Sequence, residues 1–191
     1  MMTTSKSSTK VLVTSAILMA LGTVLHTIIP SVGIKPDFML ACMFVSLILT
    51  NTNKEMAVIG IVAGIITAMT TGFPAGQIPN LVDKALTTIV FGIFLRALQK
   101  RGDLKFYHYG ILFFLGTMFS GSVFLTVCLL MGRLLGLSEV IQIFQGGLIP
   151  MFVAVVFPTA CANVVFGTLM VKIIQLMKKT RWNKTLKTIF K

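Results

Sequence analysis

Hydrophobic residues along the chain are gathered into long runs, and short polar segments or segments with glycine and proline separate them. An α-helix needs about 20 mainly apolar residues to cross the roughly 30 Å hydrocarbon layer of a membrane. Most of the runs approach this length, although the second is short. We therefore predict an all-α integral membrane protein of six transmembrane helices, at about residues 10–29, 36–50, 56–72, 80–98, 109–132 and 148–177. The alternative is a protein of four spans, in which two of these runs are re-entrant.

The connecting segments contain residues that end or bend helices. Residues 73–79 hold two prolines and a glycine, which break the chain between the third and fourth runs. Residues 133–147 are only partly polar, and we expect a short helix at the membrane surface within them. The last run is expected to bend at Pro158. The predicted organisation is a single transmembrane domain over residues 1–178, followed by a basic cytoplasmic tail over residues 179–191.

The composition agrees with a membrane protein and excludes a disordered one. Hydrophobic residues make up 55% of the 191 residues and charged residues only 12%, about half the share of roughly 25% in soluble domains. The three cysteines, Cys42, Cys128 and Cys161, lie far apart in apolar runs and form no CxxC pair. This spacing predicts neither a disulfide framework nor a zinc site, and we expect no metal or other cofactor.

The net charge of +12 is unevenly distributed, and its distribution predicts an orientation. A basic chain can bind nucleic acid, but in an apolar chain the positive-inside rule explains the charge better. If both termini are cytoplasmic, only Lys35 and Arg133 lie outside and Lys84 lies within a span. The other 14 of the 17 basic residues are then inside: Lys6, Lys10, Lys54, Arg96, Lys100, Arg101, Lys105, Lys172, Lys178, Lys179, Arg181, Lys184, Lys187 and Lys191.

The fourth run contains a stripe of polar and charged residues. Asn80, Asp83, Lys84 and Thr87 follow one another at helical spacing and so lie on one face, and Gln77 extends the stripe toward the outer surface. A charge inside a membrane helix costs about 2.5–3.5 kcal/mol, so such residues are usually paired or functional. The stripe is therefore the predicted binding site.

A zwitterion such as an amino acid would match the chemistry of this stripe. Lys84 would hold a carboxylate and Asp83 an ammonium, while Asn80 or Gln77 would take a remaining hydrogen bond. Two alternatives stay open. Asp83 and Lys84 would either neutralise one another or both face the water of the outer headgroups.

Other polar residues are weaker candidates. Asn163 lies one turn after Thr159, next to Pro158, where it would face a cavity or make a hydrogen bond between helices. His26 is more typical of an interface or packing residue than of a ligand. Three loop residues are placed to close a cavity from the outer side, although each alone is more typical of solvated loops: Lys35, Asp37 and Gln145.

Several sequence motifs of enzymes do not occur in the chain. There is no GxxxxGK[ST] phosphate loop, which argues against hydrolysis of ATP by this chain. HExxH and GxSxG do not occur either, so no catalytic constellation can be named. We expect a protein that is not an enzyme.

Specific stretches resemble a known family. Six short spans and the Ala16-x-x-x-Ala20 pattern are similar to the substrate-binding (S) components of energy-coupling factor (ECF) transporters. Within that group the chain resembles the bacterial tryptophan transporter family, TrpP-like, over about residues 10–177. The matching stretches are TSAILMALG at 14–22, KPDFML at 35–40, GIVAG at 60–64 and GFPAGQIPNLVDK at 72–84, the last being the most distinctive.

This resemblance implies a six-helix bundle in the bacterial cell membrane with its pocket near the extracellular face. Ala16 and Ala20 would pack against the transmembrane coupling subunit, and two separate ATPases would drive uptake of tryptophan. Three alternatives remain: an S component for another small nutrient or vitamin, a solitary secondary amino-acid permease, or a structural membrane protein without a ligand. The resemblance supplies no residue-level motif for tryptophan, so the predicted site rests on the stripe.

Overall fold

The computed structural model describes residues 8–28 and 37–189, the segment 178–189 as backbone only. The prediction for Lys35 therefore lies outside the described residues. The described part is helical and contains no strand. Its α-helices are α1 (Ser8–Ile28), α2 (Phe38–Leu49), α3 (Asn53–Thr70), α4 (Gln77–Lys100), α5 (Phe106–Leu135), α6 (Ser138–Ile143), α7 (Leu148–Met151) and α8 (Phe157–Ile189), with a π-helical segment at Phe152–Val156 between the last two.

Four helical stretches in the described part are long and apolar enough to cross a membrane, judged by length and composition. They are Ser8–Ile28, Asn53–Thr70, Phe106–Leu135 and Leu148–Met177. The helix Phe38–Leu49 is apolar but shorter. These findings agree with the prediction of a helical membrane protein.

Helix α4 is not among those four because its inner face is polar. Asn80, Asp83, Lys84 and Thr87 are all buried. Soluble proteins show the opposite arrangement, with apolar side chains inside and charged ones outside. The outward face of α4 carries large exposed apolar side chains, namely Ile78, Leu81, Leu86, Ile89, Ile93 and Phe94.

The last long helix is irregular in the turn before Pro158. A proline has no N–H to donate to the carbonyl one turn earlier, which disturbs the helical ladder. Here Phe152–Val156 forms a π-helical segment, and the N–H of Phe157 bonds to the carbonyl of Phe152. The irregularity expected at Pro158 is thus a widened turn directly before it, a feature often found at functional sites.

Three stacked phenylalanine rings fill the centre of the bundle, and we call them the aromatic layer: Phe44 of α2, Phe91 of α4 and Phe113 of α5. The ring centroids of Phe44 and Phe91 are 4.4 Å apart, and those of Phe44 and Phe113 are 6.0 Å apart. Glycines make room for the rings. A Cβ atom at Gly116 would lie 2.8 Å from Phe44, and one at Gly167 would lie 2.7 Å from Phe113.

Candidate ligand-binding site

A cavity of about 390 Å³ opens at one end of the bundle. Its volume falls within the range of roughly 300–1,000 Å³ that is usual for small-molecule sites. The cavity is lined by residues from every long helix, and these are His26, Asp37, Leu40, Thr67, Thr71, Gly72, Phe73, Asn80, Asp83, Lys84, Thr117, Ser120, Gly121, Phe124, Leu125, Met151, Val155, Val156 and Thr159.

The position of the lining residues along their helices locates the cavity within the bundle. His26 lies at the end of α1, Thr67 near the end of α3 and Asn80 near the start of α4. Most described basic residues lie toward the other ends of the helices, with Lys10 at the start of α1 and Lys100 at the end of α4, whereas Lys84 lines the cavity and Arg133 lies in the last turn of α5. The cavity and most of the positive charge therefore lie at opposite ends of the bundle.

One buried ammonium group joins two carboxylates beside the cavity. The Nζ atom of Lys84 lies 2.7 Å from Oδ2 of Asp83 and 3.0 Å from Oδ2 of Asp37. The Lys84 side chain is only 2% exposed. We call Asp37, Lys84 and Asp83 the charged triad.

Asp83 is held from three directions. Oδ2 accepts hydrogen bonds from Lys84 and from the Ser120 hydroxyl, the latter at 2.8 Å. Oδ1 accepts a hydrogen bond from the Thr87 hydroxyl, also at 2.8 Å. With its side chain 1% exposed, Asp83 is fixed against α5 and α4. Of the two alternatives left open by the sequence, the structure shows the pairing of Asp83 with Lys84, and a cavity lies beside the pair.

Asp37 occupies a more open position. It is the N-cap of α2, and its Oδ1 accepts a hydrogen bond from the Leu40 N–H at 2.9 Å, as cap residues commonly do. Its side chain is 24% exposed, and the Nδ1 atom of His26 lies 4.0 Å from Oδ1. The triad contains two carboxylates and one ammonium, so it carries excess negative charge when His26 is neutral.

The remainder of the cavity wall is mostly apolar and partly aromatic. Phe73 and Phe124 meet edge to face, with ring centroids 5.4 Å apart. Leu125, Met151 and Val156 add aliphatic surface around them. An aromatic side chain placed against these rings would gain both apolar burial and favourable ring geometry.

Some of the predicted site residues line the cavity, while others lie behind its wall or on the exposed surface. Asn80, Asp83 and Lys84 line the cavity, and Thr87 lies buried behind Asp83. Asn163 also lies behind the wall, where its amide donates to the Thr117 hydroxyl at 3.1 Å. Two other residues are exposed and do not belong to the lining, namely Gln77 and Gln145.

Sequence reasoning missed part of the site. Asp37 is predicted only as a loop residue placed to close the cavity, and its ion pair with Lys84 is not predicted, since an N-cap aspartate alone does not reveal a partner 47 positions away. Thr117, Ser120 and Phe124 were not singled out, although their helical spacing places them on one face of α5. That spacing was a usable signal within an otherwise apolar run.

Comparison with known proteins identifies the family. The family model described as "Tryptophan transporter TrpP" matches residues 8–179. The chain belongs to the TrpP tryptophan transporter family. This confirms the resemblance found in the sequence. TrpP is a family of transporters and not of enzymes, so the expectation that the chain is not an enzyme is also confirmed.

Individual TrpP relatives cover most of the chain. A protein of Bacillus subtilis (strain 168) named "Probable tryptophan transport protein" is 41% identical over 172 residues, covering 87% of this chain and 91% of its own length. A protein of Clostridium perfringens with the same name is 32% identical, covering 89% of this chain and 93% of its own length. No solved structure gives a significant match.

Proposed function

We propose that the chain binds L-tryptophan in the cavity and is the substrate-binding component of an ATP-driven ECF-type uptake system. The observation that supports this most is the pairing of the charged triad with the Phe73–Phe124 wall in one cavity. A free amino acid has two opposite charges close together, and tryptophan adds a large aromatic group. The cavity offers complementary groups for both parts.

The proposal includes the side of the membrane to which the cavity opens. Helix α4 is a membrane span because its outward face is apolar while its charges point inward. Together with α2, it completes six spans with both termini in the cytoplasm. Since basic residues favour the cytoplasmic side, the cavity then faces the extracellular side of the cell membrane.

The aromatic layer separates the cavity from the opposite end of the bundle. Phe44 lies one helical turn below Leu40, and Phe91 lies one turn below Thr87. Phe113 is likewise one turn from Thr117, and all three rings are almost fully buried. The rings therefore form a floor under the cavity, and a substrate could not pass them without a rearrangement of the bundle.

Coupling to ATPases would use the outer face of α1. Ala16 and Ala20 are exposed on this helix, in line with large apolar residues such as Ile17 and Val24. Small residues on a membrane helix let another helix approach closely. We infer that the transmembrane coupling subunit packs here and that two ATPases supply the energy.

Binding and transport should be measured separately. Titration calorimetry on the purified chain, without any partner, is expected to show saturable binding of L-tryptophan and none of L-leucine. A vitamin that binds in a screen while tryptophan does not would favour the alternative S component. Uptake by liposomes that contain only this chain and an ion gradient would favour the solitary permease.

A further inference from the structure

The two carboxylates of the charged triad differ in what they can still bind. A carboxylate offers about four lone-pair positions for hydrogen bonds. Three donors already contact Asp83, from Lys84, Ser120 and Thr87. Asp83 lines the cavity, but these three donors leave about one lone-pair position for a group of a ligand.

The carboxylate of Asp37 still has free positions to accept hydrogen bonds on its cavity side. It accepts one hydrogen bond at each oxygen, from the Leu40 N–H and from Lys84. Its side chain lines the cavity and is the more exposed of the two carboxylates. A ligand ammonium could therefore reach Asp37 without displacing a donor already bound there.

Charge balance favours the same residue. An unpaired charge in a buried site is costly, and when His26 is neutral the triad of two carboxylates and one ammonium has one excess negative charge. The ammonium of a bound amino acid would supply the missing positive charge. Lys84 has three N–H donors and uses two of them within the triad, which leaves one for the carboxylate of the same ligand.

Thr159 adds an independent sign that a polar ligand group enters the cavity. Its side chain lines the cavity and is only 7% exposed. Its Oγ1 atom has no hydrogen-bond partner among the described residues. Buried hydroxyl groups are nearly always hydrogen-bonded, so a bound ligand would satisfy this one.

We propose that Asp37 binds the ammonium group of the amino-acid ligand and that Asp83 is a positioning residue, which holds Lys84 where it meets the ligand carboxylate. This rests on the proposed function, because it assigns the two charged ends of an amino acid to residues of the same cavity. It departs from the expectation from the sequence, in which Asp83 held the ammonium.

Two isosteric variants and two ligands test the assignment. Asp37→Asn and Asp83→Asn each remove one negative charge at nearly constant volume. L-tryptophan and indole-3-propionate differ only by the α-ammonium group. Calorimetry on the whole purified chain gives the affinity of each ligand for each variant, and the ratio of the two affinities measures recognition of the ammonium.

The expected pattern separates the two carboxylates. In Asp37→Asn, tryptophan affinity should fall roughly tenfold to a hundredfold, as for loss of a hydrogen bond between charged groups, and the preference over indole-3-propionate should disappear. Tryptamine, which keeps the ammonium, should weaken equally. In Asp83→Asn, tryptophan and indole-3-propionate should weaken by a similar factor, so the preference is kept.

Other patterns would overturn the assignment. If Asp37→Asn keeps the preference for tryptophan over indole-3-propionate and Asp83→Asn loses it, Asp83 binds the ammonium and Asp37 is the positioning residue. If both variants keep the preference, the ammonium binds outside the triad. If Asp83→Asn does not fold, Ser120→Ala is used instead, since it removes one hydrogen bond to Asp83 and keeps both carboxylates. Loss of the preference for tryptophan in Ser120→Ala would also contradict the assignment. Failure of the unmodified chain to bind tryptophan would instead refute the proposed function.

Discussion

Lys84 on α4 and Asp37 at the start of α2 form a buried ion pair, with Nζ and Oδ2 3.0 Å apart, although 47 positions separate them in the sequence. The pair ties the beginning of the short helix α2 to the middle of the polar face of α4. Since Lys84 also pairs with Asp83, a single ammonium group fixes the geometry of the whole charged triad. In the proposed function, the stability of the fold and the binding of the ligand therefore depend on the same side chain.

Replacing Lys84 by methionine should damage both properties. Lys84→Met leaves two buried carboxylates without their cation, and loss of one partner of a buried pair typically costs about 3–5 kcal/mol. We expect a large fall in the melting temperature in detergent and no measurable tryptophan binding. Lys100→Met, on an exposed lysine at the end of α4, is the matched control and should change neither. Normal stability of Lys84→Met would show that the triad is dispensable.

Two glycines of α5 should respond differently to replacement by alanine, because only Gly116 contacts the aromatic layer. In Gly116→Ala the new methyl group would lie 2.8 Å from the Phe44 ring, and overpacking of this kind costs about 1–3 kcal/mol. In Gly110→Ala the nearest atom is 3.7 Å away, on Val164, so the higher helix propensity of alanine should leave stability equal or slightly raised. Thermal unfolding of the two variants under identical conditions checks this. Equal melting temperatures of the two variants would mean that the Phe44 ring shifts to accept the new methyl group at little cost in stability.

The apolar wall predicts selectivity for an aromatic side chain. Phe124→Leu keeps much of the volume but removes one of the two rings of the cavity wall against which the indole of tryptophan would pack in the proposed function. An aromatic pair contributes about 0.5–1.5 kcal/mol beyond its burial, so tryptophan affinity should fall by a factor of roughly 2 to 12. Phe94→Leu, at an exposed position on the outer face of α4, should bind tryptophan normally. Equal affinities in calorimetry would place the indole ring elsewhere in the cavity.

Much of the fold could be predicted from the sequence because the long apolar runs carry a strong local signal. The predicted fourth run at 80–98 lies within α4, and the predicted stripe, apart from the exposed Gln77, is its buried face. The break predicted at 73–79 extends three residues too far, because α4 already begins at Gln77. Pro79 lies in the first turn of this helix, where the missing N–H of a proline costs no helical hydrogen bond.

The pairing within the site could not be predicted in the same way. Helical spacing shows which residues share a face of α4, but it does not show what that face meets across the bundle. The contacts of Lys84 with Asp37, and of Asp83 with Ser120, depend on how α2 and α5 pack against α4. Such contacts are tertiary, and a single sequence contains no local sign of them.

The proposed orientation can be checked by labelling single cysteines in intact cells with a membrane-impermeant maleimide. With Cys161→Ser as background, Gln145→Cys at the cavity end should react from outside, because Gln145 is exposed next to the predicted extracellular helix ends. Arg101→Cys, exposed between α4 and α5 at the opposite end, should react only after the membrane is permeabilised. The reverse pattern would invert the topology, and labelling of both from outside would exclude an ordinary N-in, C-in arrangement.

The exposed alanines of α1 predict a variant that binds substrate but does not transport it. Ala16→Trp or Ala20→Trp places a large side chain on the outer face, away from the cavity, so tryptophan affinity should be unchanged. Packing against the coupling subunit requires close approach of helices, and uptake by cells should therefore be lost. Ile61→Trp, on the exposed face of α3, is the control and should transport normally. If all three variants take up tryptophan at the normal rate, the coupling subunit packs on another face or is not involved.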